Sequence, residues 1–313
     1  MKKFIIRSLW FACIIAISLI AGEFIVRYMP NPYKTKNQVM NNSAEHVRTL
    51  ILGNSHAYFG LRPDMMGPGA VNLANVSQTL KYDRRLFEHW LPRLDSLQIL
   101  ILHIGYTSLF DTDMEKSEEN VFVCNYDLYM DLDIHPWYSR FKYEIGTFNT
   151  YKNKLGVFFG LQKSSLQHDS LGHGESYGRD NRPADWEDTG HLIAQRHSDG
   201  IHLNMKDANL AELERMLDTC RNHSIRVVFT TMPEWITYRR SVNKHDVNIF
   251  MSTLDSLSGS RGIPWFNYWA DPRFDENDFY DADHLNSDIG AAKFTKIIME
   301  DIKKVYGDTI FGN

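Results

Sequence analysis

The run Leu50-Ile51-Leu52 stops abruptly at Gly53-Asn54-Ser55-His56-Ala57, and this junction constrains the fold more than any other stretch. A short, continuously apolar run closed by glycine is the pattern of a buried strand rather than a helix. Strands of that kind belong to parallel sheets with helices on both faces. Gly53 permits a sharp reversal of the backbone, which leaves Ser55 as the first reactive side chain beyond the strand. A serine at the C-terminal edge of a parallel strand stands where open α/β sheets place their ligand crevice. Taken alone, the plainer reading of Ser55 as a helix cap prevails.

Further strands and helices alternate along the chain. The first strand is predicted over His46–Leu52 and a short second one over Ala70–Ala74, entered through Gly67-Pro68-Gly69. Tyr82–Leu94 carries Leu86, Trp90 and Leu94 at helical spacing, and Leu97–Ile104 is the most strand-like run of all. A helix over Asn209–Asn222 feeds a strand over Ile225–Thr231, and a helix over Val247–Ser258 feeds a last strand over Ile263–Asn267. Ser287–Tyr306 closes the chain as a helix. The pattern predicts an α/β fold, a flavodoxin-like three-layer sandwich around a central parallel sheet. Residues 46–313 form that domain, interrupted at about 111–200 by an aromatic- and histidine-rich insertion whose centre, Gly172–Gly178, reads as flexible. Insertions from strand ends commonly build binding surfaces.

With 313 residues and 43% hydrophobic content the chain can bury a large core. A net charge of −5 without a basic stripe argues against nucleic acid as a partner. Cys13, Cys124 and Cys220 have no metal-ligand spacing. Separate thiols are expected, a Cys124–Cys220 bridge being the alternative in an oxidising compartment.

Lys2, Lys3 and Arg7 precede an uncharged apolar segment, Ser8–Gly22, flanked by Phe4-Ile5-Ile6 and Phe24-Ile25-Val26. Its length approaches that of a bilayer span, and the charges before it direct the rest of the chain away from the cytoplasm. Residues 1–28 are therefore expected to be an uncleaved signal anchor in the inner membrane, with the domain periplasmic. A signal peptide cleaved at Ala21-Gly22 is the alternative. Residues 29–45 read as a juxtamembrane linker.

Near the other end lies Asp281-Ala282-Asp283-His284-Leu285. A serine hydroxyl needs a base within hydrogen-bond reach, and imidazole suits the task near neutral pH. A carboxylate must hold the ring in the right tautomer. Asp281, three residues upstream in a turn, fits that role better than the adjacent Asp283. Taken alone, the aspartates read as caps of the last helix.

Together, Gly53-Asn54-Ser55-His56 early and Asp281-x-x-His284 late resemble the SGNH/GDSL hydrolase superfamily. The segment Thr49–Pro63 and the Asn72-Leu-Ala-Asn75 block are most similar to its membrane-anchored members: DltD-like proteins of teichoic-acid D-alanylation and alginate O-acetylation proteins. The resemblance covers roughly residues 45–110 and 205–305. It implies a Ser55–His284–Asp281 triad working through an acyl-serine, with no cofactor. In that superfamily a glycine in the second block and an asparagine in the third complete the oxyanion hole. Here those blocks read Asn72–Gln78 and His103–Ser108, lacking both. Asn75, or backbone amides near Ser77 and Gly105, are the expected substitutes.

His56 either shapes the pocket or caps a helix, and His103 reads as a satisfied core or crevice residue. His191, His197 and His202 lack metal-binding spacing, so no metal is expected. Met232-Pro233-Glu234 reads as a turn ending a strand, with a place in the pocket wall as the alternative. The expected activity is O-acyl transfer, acetyl for example, on an envelope polysaccharide. An envelope glycan or an acylated carrier would be the substrate and a membrane-bound O-acyltransferase a partner. An esterase with the same triad and a catalytically silent membrane-tethered scaffold are the alternatives.

Overall fold

A computed structural model describes residues 1–164 and 167–311; residues 165–166 of the insertion and 312–313 lie outside the described residues. The helices, in chain order, are α1 (Lys2–Tyr28), α2 (Pro32–Ser43), α3 (Ser55–Gly60), α4 (Leu80–Trp90), α5 (Val123–Tyr129), α6 (Phe148–Phe158), α7 (Gly190–Asp199), α8 (Lys206–Asn222), α9 (Ile236–Ser241), α10 (Lys244–Arg261) and α11 (Ile289–Tyr306). The strands are β1 (Thr49–Leu52), β2 (Ala70–Asn72), β3 (Ile99–His103), β4 (Arg226–Thr231) and β5 (Trp265–Asn267). They form one sheet in the order β2-β1-β3-β4-β5, and every neighbouring pair is parallel.

Alternation along the strands explains the three layers. Leu50 and Leu52 of β1, Leu100 and Leu102 of β3, and Val227 and Phe229 of β4 face one core. There they meet Leu86 and Phe87 of α4, Leu213 and Leu217 of α8, and Phe250 and Leu254 of α10. Ile51, Ile101 and Val228 point to the opposite core, with Phe59 of α3 and Phe294, Ile298 and Ile302 of α11. Both faces are therefore buried, as the unbroken apolar strands require. The order 2-1-3-4-5 reverses direction between β1 and β3, and ligands of such sheets sit beyond the strand ends at that reversal. Ser55 opens α3 directly after β1.

The predicted elements are present with shifted ends: the strands and the last helix are trimmed, α8 and α10 each begin three residues earlier, and α10 also ends three residues later. β1 starts at Thr49 because residues 44–46 form a 3-10 turn and pairing with β2 and β3 begins only at Thr49. The expected linker is different in kind: α2 is a helix packed into the domain. Asn31 caps it by accepting from the Tyr33 N–H at 2.8 Å, and Pro32 opens its first turn. Tyr33, Lys36 and Met40, spaced by three and four residues, all point inward. Only Met29, Pro30 and Asn31 separate α2 from α1.

The stretch expected to be a flexible centre is packed against the domain. Gly172 and Gly174 are buried, with Lys36 and the Tyr58 and Phe59 rings in the space a side chain would take. Cys124 and Cys220 are separate buried thiols, and burial pushes both up to about 12.

Candidate active site

The turn after β1 is held by a buried carboxylate. Asp83 of α4 accepts from the Gly53 N–H at 2.9 Å and from Gln78 Nε2 at 2.7 Å. Burial raises Asp83 to about 7, while the bonds from Gln78 and Gly53 pull it down. A carboxyl raised in the folded state contributes stability that is fully present below its unfolded value near 4 and lost as pH rises through about 7. The Asp83→Asn protein keeps an acceptor for Gly53 and is free of this loss. Its stability relative to wild type should rise by about 1 kcal/mol or more between pH 4 and 8. Urea unfolding at the two pH values measures this, and a pH-independent difference contradicts it.

Asn54 caps α3 through its side chain, which accepts from the His56 N–H at 3.1 Å, so His56 is not itself the cap. Ser55 Oγ lies 2.9 Å from His284 Nε2. On the other side of the ring, Nδ1 lies 3.1 and 3.3 Å from the two oxygens of Asp281. An ionised carboxylate only accepts, so the ring proton sits on Nδ1 and the Nε2 lone pair faces the serine hydroxyl. Asp281 is held in turn by the Asp283 N–H at 2.8 Å and the His284 N–H at 2.7 Å, both on Oδ1.

Beneath this chain lies a buried charge network that the motifs did not announce. The Asp283 carboxylate is 2% exposed and sits 3.4 Å from His284 Nδ1, 3.5 Å from His56 Nε2 and 3.7 Å from His197 Nε2. Burial opposes its ionisation, but His197, His56 and His284 together hold it well below the usual carboxylate range. Glu234 approaches His56 Nδ1 at 3.5 Å, and burial together with Asp283 pushes it well above its ordinary value. Glu234 thus lines the underside of the site instead of merely ending β4. His103 stacks on His56 with centroids 5.1 Å apart and is kept neutral by burial and by its neighbour. His197 of α7 also hydrogen-bonds the Tyr238 hydroxyl at 2.7 Å, whereas His191 and His202 are exposed and stand apart from the cluster.

His56, Asp283 and His284 offer ligand atoms within 4.8 Å of one another. Both ring nitrogens of His284 are already committed, Nε2 to Ser55 and Nδ1 to Asp281. His284 itself is pulled down by burial, but Asp281 and Asp283 outweigh this and leave it raised above 6.5.

Two of the expected oxyanion donors are spent elsewhere. Asn75 is 1% exposed: its Nδ2 donates to Gln78 Oε1 at 2.8 Å and the Leu73 carbonyl at 3.0 Å. Its Oδ1 accepts from the buried Lys36 Nζ at 3.2 Å. Its N–H goes to the Gly53 carbonyl at 3.3 Å. Asn75 is thus a structural brace between β1, β2 and α2. The Gly105 N–H donates to Ser108 Oγ at 3.0 Å, which removes it too. Ser77 is different. It is half-buried, with φ of 56°, on the loop that Asn75 pins beside Gly53. Among the described residues, the N–H groups of Val76 and Ser77 have no protein acceptor on that loop. The Ser55 N–H, at the first turn of a helix, precedes the helical ladder.

Tyr177 of the insertion is the contact that sequence reasoning missed. Its ring stacks between Phe59 (centroids 3.8 Å apart) and Tyr280 (4.0 Å) and meets the edge of His284 at 5.2 Å. The Ser287 N–H donates to the Tyr177 carbonyl at 3.1 Å and fixes it there.

No profile of a known protein family matches the chain, and no curated protein sequence matches it. Solved structures do. One, described as an acylhydrolase from Bacteroides fragilis NCTC 9343, aligns over 87% of this chain and 95% of its own, with 12% identity and a TM-score of 0.42. A GDSL-like lipase from Bacteroides thetaiotaomicron VPI-5482 aligns over 88% of this chain and 100% of its own, also with 12% identity and a TM-score of 0.42. At that distance the chemistry of this chain has to be read from its own residues.

Proposed function

We propose that the protein is a membrane-anchored, extracytoplasmic serine acyltransferase that moves an acyl group, acetyl for example, onto an envelope polysaccharide through an acyl-Ser55 intermediate. The observation that carries this reading is the continuous chain from Ser55 Oγ to His284 Nε2 at 2.9 Å and from Nδ1 to Asp281 at 3.1 Å. Ser55 Oγ attacks the carbonyl carbon of the donor ester as its proton passes to His284 Nε2. We assign the oxyanion to the Ser55 N–H and the open amides of Val76 and Ser77. As the tetrahedral adduct collapses, His284 returns the proton to the departing oxygen and the acyl group stays on Ser55. An acceptor hydroxyl then gives its proton to His284 and attacks the acyl carbon, and as this adduct collapses His284 passes the proton to Ser55 Oγ, which leaves as the free hydroxyl.

The half-buried Tyr280 ring, at the end of the Phe59–Tyr177–Tyr280 stack, favours a carbohydrate acceptor, since an aromatic ring joins a broad apolar face to a polar tip. An acylated carrier, or a membrane-bound O-acyltransferase that passes on the acyl group, fits the donor side. α1 is the one described helix long and apolar enough to cross a membrane, with a mean hydropathy of 2.3. One side of its final third packs against the domain, Gly22 and Val26 being buried, which supports an uncleaved anchor. Cleavage at Ala21-Gly22 would cut through the middle of that contact.

A fluorophosphonate probe should label the wild type and leave Ser55→Ala unlabelled; equal labelling of both removes the enzyme reading and leaves the scaffold. With p-nitrophenyl acetate as donor, acetyl groups should reach a glycan hydroxyl faster than water. Release of free acetate alone identifies an esterase.

A further inference from the structure

The outer end of α1 is clasped by the insertion. Tyr151 of α6 donates its hydroxyl to the Leu19 carbonyl at 3.1 Å, and its ring fills the space over Gly22. Glu23 Oε1 accepts from the Glu144 N–H at 2.9 Å and Oε2 from the Ile145 N–H at 3.0 Å. Arg27 donates to the Lys142 carbonyl at 3.0 Å. The clasp rests on a firm base: the Glu144 carboxylate is buried and takes Lys154 Nζ at 2.8 Å and the Tyr129 hydroxyl at 2.6 Å.

This fixes the level of α6. At 1.5 Å per residue, Leu19 lies about 6 Å deeper along α1 than Glu23, the first charge after the apolar segment. α6 thus runs beside α1 at the depth where a span meets the headgroups. Its exposed residues fit that place: Phe148 is 58%, Phe158 53% and Phe159 63% exposed, and Leu161 just beyond is 81% exposed. Phe148, Leu155 and Phe159 share the side that carries Tyr151, while Asn149 and Asn153 lie on the opposite one. Trp137 and Tyr138, on the segment leading to Lys142, are also exposed. Trp and Tyr gather at the level of lipid headgroups. Such aromatic exposure is costly in water and favourable at a membrane surface.

We propose that α6 and the Trp137–Tyr143 segment are a second membrane contact, lying in the outer headgroup layer beside α1 with Phe148, Phe158, Phe159 and Leu161 among the lipid chains. This rests on the reading of α1 as an uncleaved anchor. The occupant is lipid: on the side of α1 where α6 packs over Gly22, the deeper residues Phe11 and Ile15, eleven and seven residues earlier, are exposed as well.

The test uses the full chain in nanodiscs of phosphatidylethanolamine and phosphatidylglycerol, in a Cys13→Ser background. Single nitroxide labels are placed at Phe159→Cys, Ile14→Cys in α1 and Asp255→Cys on α10. Power saturation with oxygen, which concentrates in lipid, and with a nickel chelate, which stays in water, reads their surroundings. The Phe159 label should show an oxygen-to-nickel ratio close to that of Ile14 and several-fold above that of Asp255. A water-like Phe159 beside a lipid-like Ile14 overturns the second contact and leaves the anchor standing. A water-like Ile14 overturns the anchor, and this inference with it. A Phe159 label shielded from both reagents means that a second copy covers the surface, which also overturns it.

Discussion

The His284→Ala protein is expected to lose about 10⁴- to 10⁶-fold in kcat on an acetyl ester while keeping its fold. His284 is both the base that frees Ser55 and the acid that protonates the leaving oxygen, so nothing else in the site takes over when it goes. Asp281→Asn should cost about 10⁴-fold, because the amide no longer selects the tautomer with its proton on Nδ1. Asp283→Asn should cost less, since Asp281 still orients the ring. The pH profile separates the two carboxylates from a merely structural role. Catalysis needs neutral His284, whose value is pulled down by burial but raised overall by Asp281 and Asp283. The acid limb of kcat/KM should therefore lie above pH 6.5 in the wild type and move to lower pH in Asp283→Asn. Hydrolysis of p-nitrophenyl acetate across pH measures both effects. A His284→Ala protein that retains a tenth of the activity refutes the triad.

Gly53→Ala is expected to destabilise the protein by about 2–5 kcal/mol and to abolish Ser55 reactivity. Gly53 has φ of +137°, and an added Cβ would meet His103 Cβ at 2.7 Å and the His103 carbonyl at 3.1 Å. A neighbouring strand cannot yield as a flexible side chain does, so the turn itself must shift. That turn sets the position of Ser55, and a displacement near 1 Å commonly costs about 10²-fold in rate. Gly259→Ala is the control. Gly259 lies exposed inside α10 with nothing within 4 Å of an added Cβ. Alanine there should stabilise by about 0.5–1 kcal/mol. Thermal unfolding of the two variants should thus shift in opposite directions, and a shift of the same sign in both would contradict the steric argument.

The central strands were legible because they are buried on both faces and therefore carry continuous apolar runs, as Leu100–Leu102 shows. The encounter of Ser55 with His284 was legible because its members occupy two compact motifs at the ends of the chain. Asn75 and Gly105 were misjudged because composition names a donor but not where it is spent. Gln78, Leu73 and Ser108 compete for those N–H groups, and the folded loop decides which acceptor wins. α2 passed for a linker because two of its five inward positions are Lys36 and Asn37, polar groups in places that signal apolarity. Its signature was nonetheless present in Asn31-Pro32, a cap followed by the proline that opens a helix. Tyr177 had no periodic pattern to betray it, since its place depends on stacking between Phe59 and Tyr280 from distant parts of the chain.

The three-residue step from α1 to α2 has a mechanical outcome. A domain on a slack tether sweeps a hemisphere and meets whatever drifts through it. This one stands like a post: with α1 in the bilayer as proposed, no spare chain lets the crevice rise, sink or turn. Its serine then works at one altitude and in one heading, so polymer strands have to be threaded past it at that height.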